Sequence, residues 1–352
     1  MSLKILALTK YGPLGGSSRY RFYQYLPYLK SQGFDVTVSP LLDNTYVTNI
    51  NSGLRNLGNI LPLYLERLYK TFNHRNYQLL WIEKELLPYL PAWLEKLSLQ
   101  NIPYVVDYDD AQFHRYDHSK SKLVKLFLSQ KIDRVMADAQ LVIAGNKYIA
   151  KRAEQAGAKN IEIIPTVIDL NRYSLKTNKT SDVFNIGWIG SPITSSYLKS
   201  IESVFQYLNT KVNCSFTLVG AGSLEMDNLD LTIRKWGENS EVEDIKTFDV
   251  GIMPLSNTPW EQGKCGIKLI QYMACALPVV GTPIGANQEI IHHGVNGFYA
   301  DSLEEWTEAL LTLANDPHLR SVMGSKGRKI VETEYCLQVT APKLARLLQS
   351  CI

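Results

Sequence analysis

The sequence predicts an α/β protein of two doubly wound, parallel-sheet domains, and three observations predict it. Short apolar runs alternate with amphipathic, helix-like spacers along nearly the whole chain. The runs are continuously apolar rather than alternating, as strands covered on both faces must be. The alternation stops at one polar, aperiodic stretch, SLKTNKTSDV (174–183), and then restarts.

In chain order, KILALT (4–9) reads as a strand, and SSRYRFYQYLPYLKSQG (17–33) as a helix opened by a serine cap and closed by Gly33. DVTVS (35–39) is the next strand, followed by a mostly helical stretch over 44–75. QLLWI (78–82), PYVVDY (103–108) and QLVIAG (140–145) complete the first set of strands. After the linker candidate, FNIGWIG (184–190), CSFTLVGAG (214–222), DVGIMPL (249–255) and LPVVGTP (277–283) form the second set. CLQVTAPKLARLLQS (336–350) reads as a final helix. The domains are therefore 1–172 and 173–335, with 336–352 as a C-terminal helix. Ligands of such sheets sit beyond the carboxyl ends of the strands. YGPLGGSS (11–18), DYDDAQFH (107–114), GSPITSS (190–196), GAGS (220–223) and GTPIG (281–285) all fall there.

Composition narrows the function class. The chain has 352 residues, 45% hydrophobic, enough to bury two substantial cores. Lys plus Arg (37) nearly balances Asp plus Glu (34), so the net charge of +3 carries no global nucleic-acid signal. Five cysteines (Cys214, Cys265, Cys275, Cys336, Cys351) show no CxxC spacing, which fits a reduced, cytoplasmic protein. The first apolar run is too short for a signal-peptide core, and no run approaches the ~20 residues that span a bilayer.

The most informative stretch runs from Asp249 to Ala300, with PLS, GKCG, QYMACALPVV, GANQE and GVNGF in succession. It resembles the donor-site region of retaining glycosyltransferase family 4 (glycosyl transferases group 1), which has the GT-B fold: two Rossmann-like domains facing each other across a cleft. IEIIPTVIDLNRY (161–173) and SEVEDIKTFDVGIMPL (240–255) resemble the family segments before the second domain and before its donor strand. The resemblance implies a metal-independent hexosyltransferase without cofactor. Its donor would be a nucleotide-diphosphate sugar, a UDP-hexose such as UDP-glucose, and its acceptor a glycan or lipid-linked molecule in polysaccharide or glycolipid synthesis. In this family the last helix crosses back onto the first domain.

The same resemblance implies roles for individual residues. Gly15 and Gly16 match the Gly-Gly loop that faces the donor phosphates, and Arg19 in the following turn reaches back toward a diphosphate or an anionic acceptor, while Arg21 faces solvent or a carboxylate. Gly190 and Ser191 lie beyond the first strand of the second domain, and Gly220 in a turn that admits the nucleotide. Trp236 stands where a base is held, or is core. Cys265, Gly266 and Ile267 begin a helix whose free amides favour phosphate. Glu289 matches the family's Gly-Gly-x-x-Glu, or merely offsets a helix dipole.

Departures from the family pattern are equally specific. Its two glutamates, eight positions apart, are Gly263 and Gln271 here. Gln271 offers an amide to ribose hydroxyls but no charge. Glu261 is a candidate replacement for the first glutamate, or an exposed loop carboxylate. The family's basic pair after the first donor-domain strand is missing, with no base until Lys199. Lys264 and Lys268 are therefore expected to stabilise the departing diphosphate.

Asp107 and Asp109 spell a DxD, a metal motif in other glycosyltransferases. The surrounding pattern instead places Asp109 and Asp110 where the family orients an acceptor or donor hydroxyl, with His114 nearby. HRYDHSKSKLVKLFLSQKIDRV (114–135) is basic and amphipathic, suited to peripheral contact with the inner face of a membrane or to a core-facing helix. A GT-B epimerase, a phosphorylase and a non-catalytic nucleotide-sugar-binding protein remain open alternatives.

Overall fold

The computed structural model describes residues 2–51, 60–99, 102–175 and 182–352. Parts of the expected linker (176–181) and of the expected 44–75 helical stretch (52–59) lie outside the described residues. The chain divides into two units, Met1–Thr166 with Gln262–Cys265 and Thr340–Ile352, and Val167–Glu261 with Gly266–Val339.

The first unit holds a six-stranded sheet: β1 (Leu3–Tyr11), β2 (Phe34–Leu42), β3 (Leu79–Glu83), β4 (Tyr104–Tyr108), β5 (Leu141–Ala144) and β6 (Ile161–Ile163). The order is β2-β1-β3-β4-β5-β6 and every pairing is parallel. β3 and β4 are buried at every position, which is why they read as unbroken apolar runs. The order reverses between β1 and β3, and the carboxyl ends there form the ligand crevice of such sheets.

The expected helix over 17–33 is broken. It comprises a helix Gly16–Arg21, a 3-10 turn Tyr23–Tyr25 and a helix Leu26–Ser31. Phe22 leaves helical geometry (φ −126°, ψ −66°), and Pro27 opens the second helix without a backbone N–H to donate. No serine caps it: the N-cap is Gly15, and Ser18 turns its hydroxyl to other partners.

The second unit has β7 (Phe184–Ile189), β8 (Cys214–Val219), β9 (Leu231–Arg234), β10 (Val250–Met253), β11 (Val279–Gly281) and β12 (Gly297–Tyr299) in the all-parallel order β12-β11-β10-β7-β8-β9. Trp188, Phe205 and Trp306 anchor its core. The order reverses between β7 and β10. β6, β9 and β12 go unpredicted by the sequence; β6 and β9 lie at sheet edges with no fully buried residue, so no apolar run marks them.

The segment 114–135 is three helices, His114–Asp117, Lys122–Leu128 and Lys131–Asp138. The final helix spans Leu337–Ser350, and Thr340–Ile352 counts with the first unit, where Thr340 Oγ1 meets Tyr25 OH at 2.9 Å and Lys343 donates to the Ile163 carbonyl at 3.0 Å.

Candidate functional site

At the carboxyl ends of β1, β3 and β4, charged side chains gather that have no reason to be there for packing alone. Lys84 follows β3 with φ +64°, a left-handed conformation uncommon outside glycine. Its ammonium lies 2.7 Å from Asp109 Oδ1 and 3.1 Å from Asp110 Oδ2. Ser17 donates to the other Asp109 oxygen. Burial pushes the Asp109 carboxyl up, but Lys84 and the Ser17 hydroxyl outweigh it and bring it down to about 2. Beneath this cluster, Glu83 Oε2 accepts from the Lys10 N–H at 2.7 Å and from Ser18 Oγ at 2.5 Å, tying β3 to the β1 loop. Burial raises the Glu83 carboxyl.

The DxD motif divides between two cations. Asp107 is fully buried against Arg21 at 2.7 Å, and Asp109 belongs to Lys84. Burial raises the Asp107 carboxyl to about 6 despite the guanidinium beside it. Each carboxylate already has a partner, which leaves little for a shared metal ion. His114 meets Asp117 through Nδ1 and Tyr148 through Nε2, each at 2.8 Å.

Gly15 caps the first helix, and a Cβ on it would come within 2.4 Å of Tyr11 Cβ; Gly16 is exposed, with open space around it. Arg19 is buried with its guanidinium over the Tyr20 ring, 4.8 Å from the centroid, so it does not extend freely toward a ligand.

The loop Gln262–Cys265 also belongs to the first unit. Lys264 Nζ lies 3.9 Å from Asp110 Oδ1, and its carbonyl accepts from Asn146 Nδ2 at 3.0 Å. Cys265 Sγ donates to the Asp109 carbonyl at 3.0 Å, and burial pushes its thiol far up, so it packs rather than reacts. A Cβ on Gly263 would fall 2.4 Å from both Ala111 N and Ala111 Cβ. The glutamate expected here has no room.

In the second unit, Gly266 (φ +63°) caps a helix, Ile267–Ala274, whose first turn carries Lys268. Lys264 lies outside that helix, so the two lysines are not a helical pair. Lys268 Nζ sits 4.1 Å from the centroid of the Trp188 ring and 3.4 Å from Thr194 Oγ1. Gly190, directly after β7, lies so close that a Cβ would come 2.8 Å from Lys268 Nζ and 2.4 Å from Trp188. Ser191 N–H donates to Thr194 Oγ1. Gly220 (φ +77°) follows β8, and a Cβ there would meet the Gly190 carbonyl at 2.3 Å. Helix amides, an ammonium and side-chain-free backbone thus converge at the β7–β10 switch point.

A chain of hydrogen bonds borders this region. Trp236 Nε1 and Tyr173 OH both donate to the buried Glu241 carboxylate, at 2.8 and 2.6 Å, and Gln271 Nε2 donates to Tyr173 OH at 3.0 Å. Glu261 is buried, accepting from Tyr197 OH and Thr258 Oγ1. Glu289 is half-buried in the first turn of a short helix, Asn287–Ile290.

Sequence reasoning missed Lys84, Ser17 and Glu83. The one available signal was the triplet Glu83-Lys84-Glu85 directly behind a fully apolar run.

Residues 183–316 match the family model described as glycosyl transferases group 1. A GDP-mannose-dependent monoacylated alpha-(1-6)-phosphatidylinositol monomannoside mannosyltransferase of Corynebacterium glutamicum is 31% identical over 247 residues, covering 63% of this chain and 65% of that protein. The matches span less than two thirds of the length of this and the other curated relatives. Among solved structures, Anabaena HepE in complex with UDP and glucose superposes with TM-score 0.71 at 18% identity, covering 99% of this chain and 100% of HepE. WaaG, a glycosyltransferase of lipopolysaccharide biosynthesis, gives 0.70 at 14% identity, covering 98 and 99%. At these identities the likeness establishes the fold, GT-B.

Proposed function

We propose that the chain, whose residues 183–316 match the glycosyl transferases group 1 model, is a glycosyltransferase of that family and transfers a hexose from a nucleotide-diphosphate sugar, UDP-glucose or a related UDP-hexose, to a glycan or lipid-linked acceptor with retention of configuration. The observation that carries the proposal is Lys268, poised in the first turn of the helix Ile267–Ala274 beside Gly190 and Thr194. Helix-terminal amides and an ammonium are what a leaving diphosphate requires. In the proposed reaction the bond from the anomeric carbon to the phosphate oxygen breaks. The acceptor oxygen bonds to the same face, and its proton passes to the departing phosphate. Asp109, held ionised by Lys84, accepts a hydrogen bond from a hydroxyl and orients it; a carboxyl near 2 is a poor base at neutral pH. No metal or cofactor enters this scheme.

Contact with the inner face of a membrane is part of the proposal. In the helix Lys122–Leu128, Leu123, Leu126 and Phe127 are 69, 72 and 70% exposed, with the exposed Lys120, Lys122 and Lys125 around them. Apolar side chains ringed by cations suit an anionic bilayer surface. Among the described residues no helix is long and apolar enough to cross a membrane. The chain should sediment with anionic but not neutral vesicles, and Phe127→Ser should reduce the bound fraction.

The test of transfer offers UDP-glucose, other UDP-sugars and GDP-mannose with free and lipid-linked glycan acceptors, and follows nucleoside-diphosphate release and product configuration. Transfer that survives EDTA is expected. Neither hydrolysis nor transfer of any donor would favour a second reading, a non-catalytic nucleotide-sugar-binding protein, which the closed space at Gly263 supports. Free UDP made equally fast without acceptor would point to an epimerase, and phosphate-dependent cleavage of a glycan to a phosphorylase.

A further inference from the structure

We propose that His114, Asp117 and His118 form a site for a borderline divalent cation such as Zn2+ on the first unit, separate from the donor-binding residues. Spacing of three and four residues puts the three side chains on one side of a helical turn. They occupy the helix His114–Asp117 and the residue that ends it. His114 Nδ1 lies 2.8 Å from Asp117 Oδ1, and His118 Nε2 lies 3.9 Å from the same oxygen. The two imidazoles stack with centroids 4.2 Å apart, and one ligand atom from each residue lies within 4.8 Å of the others. Bonds of about 2.0–2.1 Å to a tetrahedral zinc ion set ligand atoms about 3.4 Å apart, so an ion entering the set would open the 2.8 Å His114–Asp117 contact and draw His118 in from 3.9 Å.

Groups from neighbouring helices hold these ligands from behind. Tyr148 OH sits 2.8 Å from His114 Nε2, which fixes the ring with Nδ1 toward Asp117. Arg152 takes the other Asp117 oxygen, Oδ2, at 3.2 Å, leaving Oδ1 facing the histidines. Such outer partners orient metal ligands. Arg152 is itself paired through two bonds with Asp133, at 2.7 and 2.9 Å. Two carboxylates thus surround one guanidinium, and the surplus negative charge lies at the histidine pair. His118 is exposed and provides the entry path, with open coordination positions for water. A bound ion would pin the turn that follows Asp109 and Asp110 against Tyr148 and Arg152. It would take no part in transfer.

Titration calorimetry of the full chain with Zn2+ tests the site. One equivalent should bind with a dissociation constant in the micromolar range, releasing protons detectable as a dependence of the heat on buffer. His118→Ala, at an exposed position, should weaken binding at least about tenfold, and Asp117→Asn should do likewise. His293→Ala, in the other unit, should leave it unchanged. Co2+ should give a spectrum without thiolate charge-transfer bands. Millimolar or weaker binding, binding that survives His118→Ala, or a thiolate spectrum would overturn the proposal.

Discussion

Lys84 Nζ stands 2.7 Å from Asp109 Oδ1, reaching it from a left-handed backbone at the end of β3. A strained residue that survives at a strand end usually serves something other than packing. The pair also makes stability depend on pH. Asp109 has its carboxyl lowered from 3.8 to about 2 in the folded chain, so between those values the unfolded chain binds more protons. Its contribution, about 2 kcal/mol, is fully present above pH ~4 and is lost as pH falls through about 2. Urea denaturation of the native chain and of Asp109→Asn should show their stability difference shrinking by that amount between pH 6 and pH 2. A constant difference would refute the pairing.

Gly263 leaves no volume for a side chain, because its Cβ would overlap Ala111 N and Ala111 Cβ at 2.4 Å. Gly263→Ala is expected to destabilise the chain by about 1–3 kcal/mol. Gly263→Glu, which restores the family residue, should be worse in both melting temperature and expression. A Gly263→Glu variant with native stability would show that the Ala111 loop yields readily.

Lys268 carries the proposed phosphate role, and the sequence alone leads to the same expectation for Lys264. Lys268→Ala removes a half-buried cation from the Trp188 face, so stability should change by about 1 kcal/mol or less. UDP affinity measured by calorimetry should fall several-fold in Lys268→Ala and in Lys264→Ala. Unchanged affinity in both variants rejects the role.

Gln271 illustrates how a departure can become structural. Its Nε2 donates to Tyr173 OH, whose own proton goes to Glu241. Gln271→Glu would set an acceptor against that hydroxyl, with no proton left between them. The change should cost about 1–3 kcal/mol in denaturant unfolding, and Tyr173→Phe should abolish most of the penalty. An equally stable Gln271→Glu would show that the chain rearranges.

The strand runs 79–83, 104–108 and 250–253 were legible because a strand covered on both faces must be apolar throughout. The glycines at 190, 220 and 266 were legible as lying at strand or helix ends, and at each a side chain has no space or no allowed φ. Edge strands β6 and β9 were not, since half-exposed residues leave no such mark.

The sequence by itself determined two parallel sheets, most of their strands and the glycine-bearing loops at the carboxyl ends, because these follow from burial and backbone sterics within short segments. Only the tertiary structure decided which charges meet. Arg21 finds Asp107 and Lys84 finds Asp109 because the parallel order β1-β3-β4 sets those strand ends side by side. Gly263 is fixed by Ala111, far away in the chain. Pairing across such separations depends on how strands are ordered in space, and no periodicity along the chain encodes it.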